Sequence, residues 1–191
     1  MSLLRPRFVE AGRWSRHLGT YLATYLAWEA LVTERCNRIH RLRLFRAVFA
    51  LASRLGDGIG WYVLALLVIA VHGLPAVEPM AVMLLSGGGG VLVYLAIKRY
   101  TGRLRPLHRN QRIEVTVPPL DQYSFPSGHT LHAVNFGTQL VVFEPALFWL
   151  VLPFALLVAA SRMVLGLHYL SDVLAGALLG LALALFVLGL G

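Results

Sequence analysis

The sequence is poor in cysteine and in charged side chains. Its single cysteine, Cys36, excludes an intrachain disulfide and any metal site built from several cysteines. Only 14% of the residues are charged and 58% are hydrophobic, whereas a soluble domain has about 25% charged residues. The 191 residues are therefore expected to form one domain that lies largely within a membrane.

Acidic residues are scarcest, with 9 Asp and Glu against 17 Lys and Arg. The resulting net charge of +8 fits either nucleic acid or anionic lipid as a partner. The basic residues flank apolar segments, however, and the sequence has no basic module with interleaved aromatic residues. We therefore expect an anionic membrane lipid and no nucleic acid as the partner, while no feature of the sequence predicts an oligomeric state.

Five apolar segments have about the 20 residues that a membrane-spanning helix needs, or nearly so. They cover residues 59–73, 79–97, 129–143, 146–165 and 171–190. A further segment, 18–32, is short and contains Glu29, so it is either a sixth span or a helix at the membrane interface. The expected fold is an all-α, multi-pass transmembrane helical bundle with five or six spans.

The first 57 residues differ in pattern from the rest of the chain. Between Arg38 and Arg54, apolar residues recur at helical spacing and arginines lie between them. This pattern is typical of a basic amphipathic helix on anionic headgroups, and a solvated basic face is the alternative. We therefore divide the chain into a basic interfacial region, residues 1–57, and a membrane domain, residues 58–191.

The distribution of basic residues bears on the topology. Every Lys and Arg lies within residues 1–54, within residues 98–112, or at position 162. If residues 18–32 do not cross the membrane, all of them lie on one side, which the positive-inside rule makes cytoplasmic. If they do cross, residues 98–112 face outward. The arginine count slightly favours the first orientation, in the inner membrane of a bacterium.

Three polar segments interrupt the membrane domain. They read KRYTGRLRP from Lys98, PSGH from Pro126 and SRMVLGLHYLSD from Ser161. Three fixed cations can hold the oxygens of a phosphate, and the N–H groups of a Ser-Gly-His turn can add donors to the same oxygens. Two histidines can supply a nucleophile and a general acid. The segments therefore indicate phosphoryl transfer.

His168 and Asp172 stand four residues apart, which on a helix places them on one face. The Asp172 carboxylate would then accept the Nδ1–H of the imidazole and leave Nε2 free to attack phosphorus. An isolated pair with this spacing is common on ordinary helices. The pair therefore indicates catalysis only together with the other two segments.

Together the three segments resemble the type 2 phosphatidic acid phosphatase superfamily, which includes the vanadium haloperoxidases. The family pattern is Lys, six residues, Arg-Pro; then Pro-Ser-Gly-His; then Ser-Arg, five residues, His, three residues, Asp. This sequence fits every position. The resemblance implies that His168 is the nucleophile that forms a phosphohistidine, that Asp172 orients it, and that His129 is the acid and then the base. It also implies neither metal nor cofactor, and phosphate binding by Lys98, Arg105, Ser127, Gly128 and Arg162.

The resemblance further implies an integral-membrane phosphatase that hydrolyses a phosphomonoester or diphosphate headgroup of a lipid. The alternatives are a lipid-dependent phosphotransferase and a non-catalytic lipid-phosphate binder or flippase. Intact His129, His168 and Asp172 argue against a mere binder, because binding needs only the cations. Phosphatidate, phosphatidylglycerophosphate, polyprenyl diphosphate and lipid A phosphates all remain candidate substrates.

Other motifs are given structural roles. The glycine run Gly87–Gly90 predicts close helix packing. His132 shares a helix face with His129 and is interpreted as a packing residue, with a supporting role beside the site residues as the alternative. The connection between Arg105 and Pro126 is long enough to cover the site. The remaining histidines are expected at surfaces or interfaces, and they are His17, His40, His72 and His108.

Overall fold

The computed structural model describes residues 6–119 and 121–190, with side chains from Thr20 onward. The regular secondary structure of these residues is helical, and one isolated β-bridge joins Leu104 to Tyr123. The prediction of an all-α fold is confirmed. His17 lies among the residues whose side chains are not described.

Eight α-helices follow one another in this part of the chain: α1 (Pro6–Asn37), α2 (Arg43–Gly56), α3 (Ile59–His72), α4 (Val77–Thr101), α5 (Pro106–Arg109), α6 (Gly128–Phe143), α7 (Phe148–Val164) and α8 (Leu170–Leu188). Short 3₁₀ turns precede α2, α4 and α7. The five predicted spans correspond to α3, α4, α6, α7 and α8.

These five helices run up and down between two ends of a bundle. At one end, His72 Nε2 lies 3.5 Å from Glu144 Oε2, which brings the α3–α4 turn beside the α6–α7 turn. At the other end, the Ser127 N–H donates to the Asp172 carbonyl at 2.9 Å, which joins the starts of α6 and α8. We call this second end the site end, because the three polar segments lie there.

The bundle is multi-pass, as predicted, but fewer of its helices qualify as spans. Within the described residues, three helices are long and apolar enough to cross a membrane: Leu74–Thr101, Pro145–Val164 and Leu170–Leu188. The pair α2 and α3, bent by 61°, makes a fourth if it is one broken span. The sequence predicts five or six. One predicted span that does not qualify is α6, because its 16 residues make a helix only about 24 Å long. It lies inside the bundle against α4, α7 and α8.

The C-terminal part of α1 lies across the site end. Glu29 accepts the Ser171 N–H at 2.6 Å, at the start of α8. Asn37 donates to the Val164 carbonyl at 2.8 Å, at the end of α7. Within the described residues, α1 is not among the helices that are long and apolar enough to cross a membrane.

The basic segment 38–54 is not one continuous helix, because Leu42 is extended between a 3₁₀ turn and α2. α2 packs against α7 so closely that a Cβ on Gly56 would lie 2.7 Å from Val158 Cγ2. His40 is buried, so its expected position at a surface or interface is wrong. The reason is that the connection after α5 folds back onto it, with Thr116 Oγ1 in contact with the ring.

α6 and α8 approach each other at backbone distance. An added Cβ on Gly176 would lie 2.4 Å from the Ser127 carbonyl oxygen, and one on Gly180 would lie 2.3 Å from that of Leu131. Small residues allow such close crossings in membrane proteins. The two glycines therefore fix the start of α6 against the start of α8.

Two of the four glycines in the α4 run pack closely against other helices, and two do not. Added Cβ atoms would lie 2.5 Å from Phe136 at Gly87 and 2.8 Å from Leu131 at Gly90. The predicted close packing is confirmed for these two glycines. A Cβ on Gly88 or Gly89 would meet nothing within 4 Å, so packing does not require glycine at these positions.

We predict that Gly180→Val lowers the thermal stability of the protein in detergent, because the Leu131 backbone cannot move aside for the new side chain. Overpacking of this kind costs about 1–3 kcal/mol. Gly89→Val, in open space on α4, is the matched control and should leave the melting temperature unchanged. Equal melting temperatures for both variants would contradict the packing described here.

The alternation of the helices predicts that the C-terminal end of α8 and the connection at Gln111 lie on opposite faces of the membrane. In a Cys36→Ser background, Gln111→Cys should react with an impermeant thiol reagent from one side only. A fluorescent protein fused after α8 should report the other side. The charge distribution adds the expectation that Gln111 is cytoplasmic. Finding both positions on one side would refute the helix alternation.

Candidate active site

A cavity of about 530 Å³ opens at the site end. It brings together residues from all three polar segments, which are Lys98, Arg105, Gly128, His129, Arg162 and His168. The two other residues implicated by the sequence, Ser127 and Asp172, lie behind this lining and are fully buried. The cavity is thus the place where all three segments converge.

Each segment reaches the cavity at the end of a helix. Lys98 lies in the last turn of α4, which ends at Gly102 in the left-handed conformation with φ 57°, as glycine permits. α6 begins at Gly128, so its first N–H groups have no partner within the helix and carry positive partial charge. The Ser127 hydroxyl caps α6 by accepting the Thr130 N–H at 3.5 Å, and it also lies 2.9 Å from Thr130 Oγ1.

His168 and Asp172 are paired, but not on one helix. α8 begins at Leu170, so His168 lies before it and the predicted shared helix face is wrong. His168 Nδ1 lies 3.6 Å from Asp172 Oδ2, too far for a hydrogen bond, and it has no hydrogen-bond partner among the described residues. Asp172 Oδ2 accepts the Tyr169 N–H at 2.8 Å. The pairing arises because a carboxylate in the first turn of a helix reaches back towards the residues that precede it.

The contacts of His168 define its tautomer. Arg105 Nη1 lies 3.0 Å from His168 Nε2. Because a guanidinium only donates, Nε2 accepts and the ring proton resides on Nδ1, towards Asp172. Burial, followed by the positive charges of Arg105, Arg162 and Lys98, lowers the pKa of His168 well below its ordinary value. The ring is therefore neutral at pH 7, and its Nε2 lone pair accepts from Arg105, which lines the cavity beside it.

The turn after α7 brings Arg162 and His168 together. The Arg162 carbonyl accepts the His168 N–H at 3.0 Å. Gly166 has φ 69°, and a Cβ there would lie 2.2 Å from Ile113 Cγ2, so the turn requires glycine. The Arg162 guanidinium donates to Ser53 Oγ at 2.5 Å, while its Nε has no hydrogen-bond partner among the described residues. Arg162 thus retains a donor for a ligand.

The Asp121 carboxylate bridges the other two cations of the cavity, Lys98 and Arg105. Asp121 accepts from Lys98 Nζ at 2.6 Å and from Arg105 Nη2 at 2.9 Å. Burial raises the pKa of the Asp121 carboxyl, but the Lys98 hydrogen bond and the charges of Lys98 and Arg105 outweigh it and hold the pKa below its ordinary value. The ionised carboxylate therefore engages two of the cations that would bind a phosphoryl group.

Two further contacts concern the histidines of α6. His129 Nε2 lies 3.3 Å from Asp57 Oδ1, at the bend between α2 and α3. Because a carboxylate accepts, this contact places a proton on Nε2. His132 stacks on Phe136 with ring centroids 5.2 Å apart and also lines the cavity. It packs as predicted and is available to a ligand.

A buried ionic chain supports Asp172 from behind. Arg103 donates to Asp172 Oδ1 and to Glu29 Oε2, both at 2.7 Å, and to Ser171 Oγ at 2.6 Å. The sequence reasoning missed Arg103 and Glu29, as well as Asp57 and Asp121. One signal was present for Glu29: an acidic residue in an apolar segment usually has a charged partner.

The described residues contain no group of three or more His, Cys, Asp or Glu side chains that could hold a metal ion. Lys98, Arg105 and Arg162 carry positive charge into the cavity, and Arg54 also belongs to its lining. With a neutral imidazole beside them, these cations can bind a phosphate dianion and stabilise the charge that develops during its transfer. The arrangement is suited to nucleophilic phosphoryl transfer.

Known proteins share both the sequence pattern and the fold. The family model of the PAP2 superfamily matches residues 78–190. The decaprenylphosphoryl-5-phosphoribose phosphatase of Mycobacterium tuberculosis is 36% identical over 140 residues, which cover 70% of this chain and 72% of that protein. The bacitracin transport permease protein BcrC of Bacillus licheniformis is 40% identical over 88 residues, 42% of this chain. That match spans only 43% of BcrC.

Among solved structures, the transmembrane PAP2-type phosphatidylglycerolphosphate phosphatase of Bacillus subtilis is similar to this chain, with a TM-score of 0.72 and 26% identity. The similarity covers 87% of this chain and 86% of that structure. The helical arrangement is thus shared over most of both molecules, and the family and its named relatives support a phosphatase.

We predict that Asp121→Asn strengthens inhibition by inorganic phosphate, because the anion no longer competes with a carboxylate for Lys98 and Arg105. A charged hydrogen bond contributes about 1.5–3 kcal/mol, so the inhibition constant should fall about tenfold or more. Glu114→Gln removes a charge from the same connection without touching these cations and should leave the constant unchanged. Weaker phosphate inhibition of Asp121→Asn would show that Asp121 supports the phosphate site instead.

Proposed function

The chain belongs to the PAP2 superfamily, and we propose that it is an integral-membrane phosphatase that removes phosphate from a phosphorylated lipid. The observation that carries the proposal is the neutral His168, whose Nε2 lies 3.0 Å from Arg105 Nη1. Lys98 and Arg162 line the same cavity. When a phosphate binds, Arg105 moves its donor from Nε2 to a phosphoryl oxygen, and the freed Nε2 lone pair then lies beside three cations, as attack on a phosphate dianion requires.

In the first step, His168 Nε2 attacks phosphorus and the bond from phosphorus to the lipid oxygen breaks. Lys98, Arg105 and Arg162 hold the three remaining phosphoryl oxygens, with N–H groups at the start of α6. When the phosphate dianion binds, His129 takes up a second proton and becomes charged, and it then gives one proton to the departing lipid oxygen and becomes neutral. The products are a phosphohistidine and the dephosphorylated lipid. Asp172 balances the positive charge that forms on the His168 ring.

In the second step, water attacks the phosphohistidine. His129, now neutral, takes a proton from the water, the bond from phosphorus to Nε2 breaks, and inorganic phosphate leaves. His168 returns to its neutral state with the proton on Nδ1. A phosphotransferase would follow the same first step and use another acceptor in the second. Release of free phosphate, rather than a newly phosphorylated acceptor, distinguishes hydrolysis.

For the substrate we propose a prenyl-chain phosphate or a prenyl-linked sugar phosphate in a bacterial cytoplasmic membrane. The support is the Mycobacterium tuberculosis relative, whose name specifies such a lipid and whose match covers 70% of this chain. Phosphatidylglycerophosphate is the comparison substrate, because the similar Bacillus subtilis structure is named for it. Phosphate release from the two lipids by purified protein ranks them directly.

We predict that His168→Ala abolishes turnover and the covalent intermediate, because the proposed mechanism forms the bond to phosphorus at His168 Nε2. His129→Ala should slow turnover about 10²–10⁴-fold, the usual loss of a general acid. It should still form the intermediate when the leaving group is good. The measurement is acid-labile, base-stable radiolabel on protein quenched during turnover. Label retained in His168→Ala would refute the assignment of the nucleophile.

We also predict that activity survives EDTA, because Lys98, Arg105 and Arg162 supply the charge that Mg²⁺ supplies in many other phosphoryl-transfer enzymes. Vanadate, which adopts the trigonal-bipyramidal geometry of the transition state, should inhibit competitively. The assay compares phosphate release before and after chelation. Loss of activity with EDTA, followed by recovery with added Mg²⁺, would contradict the metal-free mechanism.

A further inference from the structure

The C-terminal end of α2 contacts two residues of the catalytic cavity. Asp57, which follows α2, has its Oδ1 atom 3.3 Å from His129 Nε2. Ser53, in the last turn of α2, accepts from the Arg162 guanidinium at 2.5 Å. Both α2 contacts come from outside residues 78–190, the segment that the family model matches. The site is therefore completed by side chains that do not belong to the three polar segments.

The Asp57 carboxylate lies at the wall of the cavity and not behind it. Asp57 and His129 both belong to the cavity lining. The Asp57 side chain is 49% exposed, whereas that of His129 is 14% exposed. A half-exposed carboxylate retains much of its hydration, so it can carry its charge without a buried counter-ion. Asp57 can therefore present a negative charge to the more buried imidazole.

This contact determines which nitrogen of His129 can transfer a proton. Because a carboxylate only accepts, His129 Nε2 keeps its proton while it faces Asp57. The hydrogen bond of one ring nitrogen sets the role of the other. Nδ1 is then the atom that gains and loses the transferred proton.

We propose that Asp57 is a positioning residue for the general acid, one that orients His129 and balances the charge it carries before proton transfer. The inference rests on the proposed function. When phosphate binds, His129 Nδ1 takes up a proton and the ring becomes charged, with Asp57 opposite Nε2. Nδ1 then gives that proton to the departing lipid oxygen, and the ring is neutral again with its proton on Nε2. In the second step, Nδ1 takes a proton from the attacking water.

The role predicts a dependence on the leaving group. An alkoxide leaves readily only when it receives a proton, whereas a nitrophenolate leaves without one. A change that impairs the general acid therefore slows attack on an alkyl phosphate and spares attack on a nitrophenyl phosphate. A change that merely loosens the fold slows both reactions.

The test measures phosphohistidine formation in a single turnover, with a long-chain alkyl phosphate and with a nitrophenyl phosphate that carries an alkyl chain of the same length. Asp57→Asn should slow formation from the alkyl phosphate about 10–100-fold, as loss of an outer hydrogen-bond partner does in metal sites. It should leave formation from the nitrophenyl phosphate unchanged. Equal slowing with both substrates, or none with the alkyl phosphate, would overturn the inference. A wild-type protein that forms no phosphohistidine would instead refute the proposed function.

Two controls isolate the contact between Asp57 and His129. Glu144→Gln changes another carboxylate beside a histidine, since Glu144 Oε2 lies 3.5 Å from His72 Nε2 at the opposite end of the bundle. This variant should behave as the wild type with both substrates. In a His129→Ala background, Asp57→Asn should slow the alkyl reaction no further. Multiplying losses would contradict the role, because Asp57 would then act by a route other than His129.

A second inference concerns the ionic chain behind Asp172. Glu29 and Asp172 are fully buried, and Arg103 donates to both at 2.7 Å. The Arg103 guanidinium also lies 4.3 Å from the Tyr169 ring centroid. Neither Arg103 nor Glu29 lines the catalytic cavity. Among the described residues, Arg103 therefore reaches the nucleophile through Asp172 and its neighbours.

We infer that Arg103 and Glu29 are positioning residues for the nucleophile. Arg103 supplies the positive charge that an ionised, buried carboxylate needs. Asp172 then stays anionic 3.6 Å from His168 Nδ1, where it balances the charge that forms on the ring. Glu29 holds Arg103 in place and, through the Ser171 N–H, ties α1 to the start of α8.

Steady-state kinetics of Arg103→Gln and Arg103→Lys test this role. Arg103→Gln should lower kcat about 10–100-fold, a loss of the size seen for outer partners of metal ligands, with KM unchanged. Arg103→Lys retains the charge and should recover much of kcat. Arg109→Gln, which removes a nearby arginine that does not contact Asp172, should behave as the wild type. A raised KM with unchanged kcat, or a Lys variant no better than Gln, would contradict the role.

A double-mutant cycle separates positioning from general stabilisation. If Arg103 acts only through Asp172, then adding Arg103→Gln to Asp172→Asn should lower kcat no further. Independent losses from the two substitutions would overturn this second inference, because Arg103 would then act elsewhere.

Discussion

The backbone contact between α6 and α8 determines the geometry of the whole site. With Gly176 and Gly180 against carbonyl oxygens of α6, the two helices start side by side, and the Ser127 N–H reaches the Asp172 carbonyl. His129 begins one helix and His168 precedes the other. Any side chain at the glycine positions would separate His129 from His168, the proposed proton donor and the proposed nucleophile. The close packing of α6 against α8 therefore sets the distance between His129 and His168.

The second organising feature is the balance of charge in a weakly polar environment. Three buried cations close together repel one another and are costly without an anion. Asp121 provides that anion for Lys98 and Arg105. A substrate phosphate would replace one anion by another, so the cations need not be left uncompensated as substrate binds. The long connection that carries Asp121 is therefore part of the site as well as its cover.

The motifs predicted the residues that converge on the cavity, because their spacing is linked to the ends of helices whose apolar patterns are evident. Asp121 and Asp57 were not predicted as site residues. They lie in a connection and at a bend between helices, where no hydrophobic periodicity indicates which residues face the cavity. The His168–Asp172 pair shows the limit of spacing arguments: the contact exists, but α8 begins between the two residues. The buried position of His40 depends on a distant connection folding back, and sequence patterns do not record such long-range contacts.

The central claim is that phosphorus is attacked by His168 among Lys98, Arg105 and Arg162. An experimental structure with vanadate bound tests it most directly. The account predicts vanadium bonded to His168 Nε2, its oxygens on the three cations, and the Asp121 carboxylate displaced from Lys98 and Arg105. Vanadate bound away from His168, or Asp121 still bridging the two cations beside it, would contradict the account.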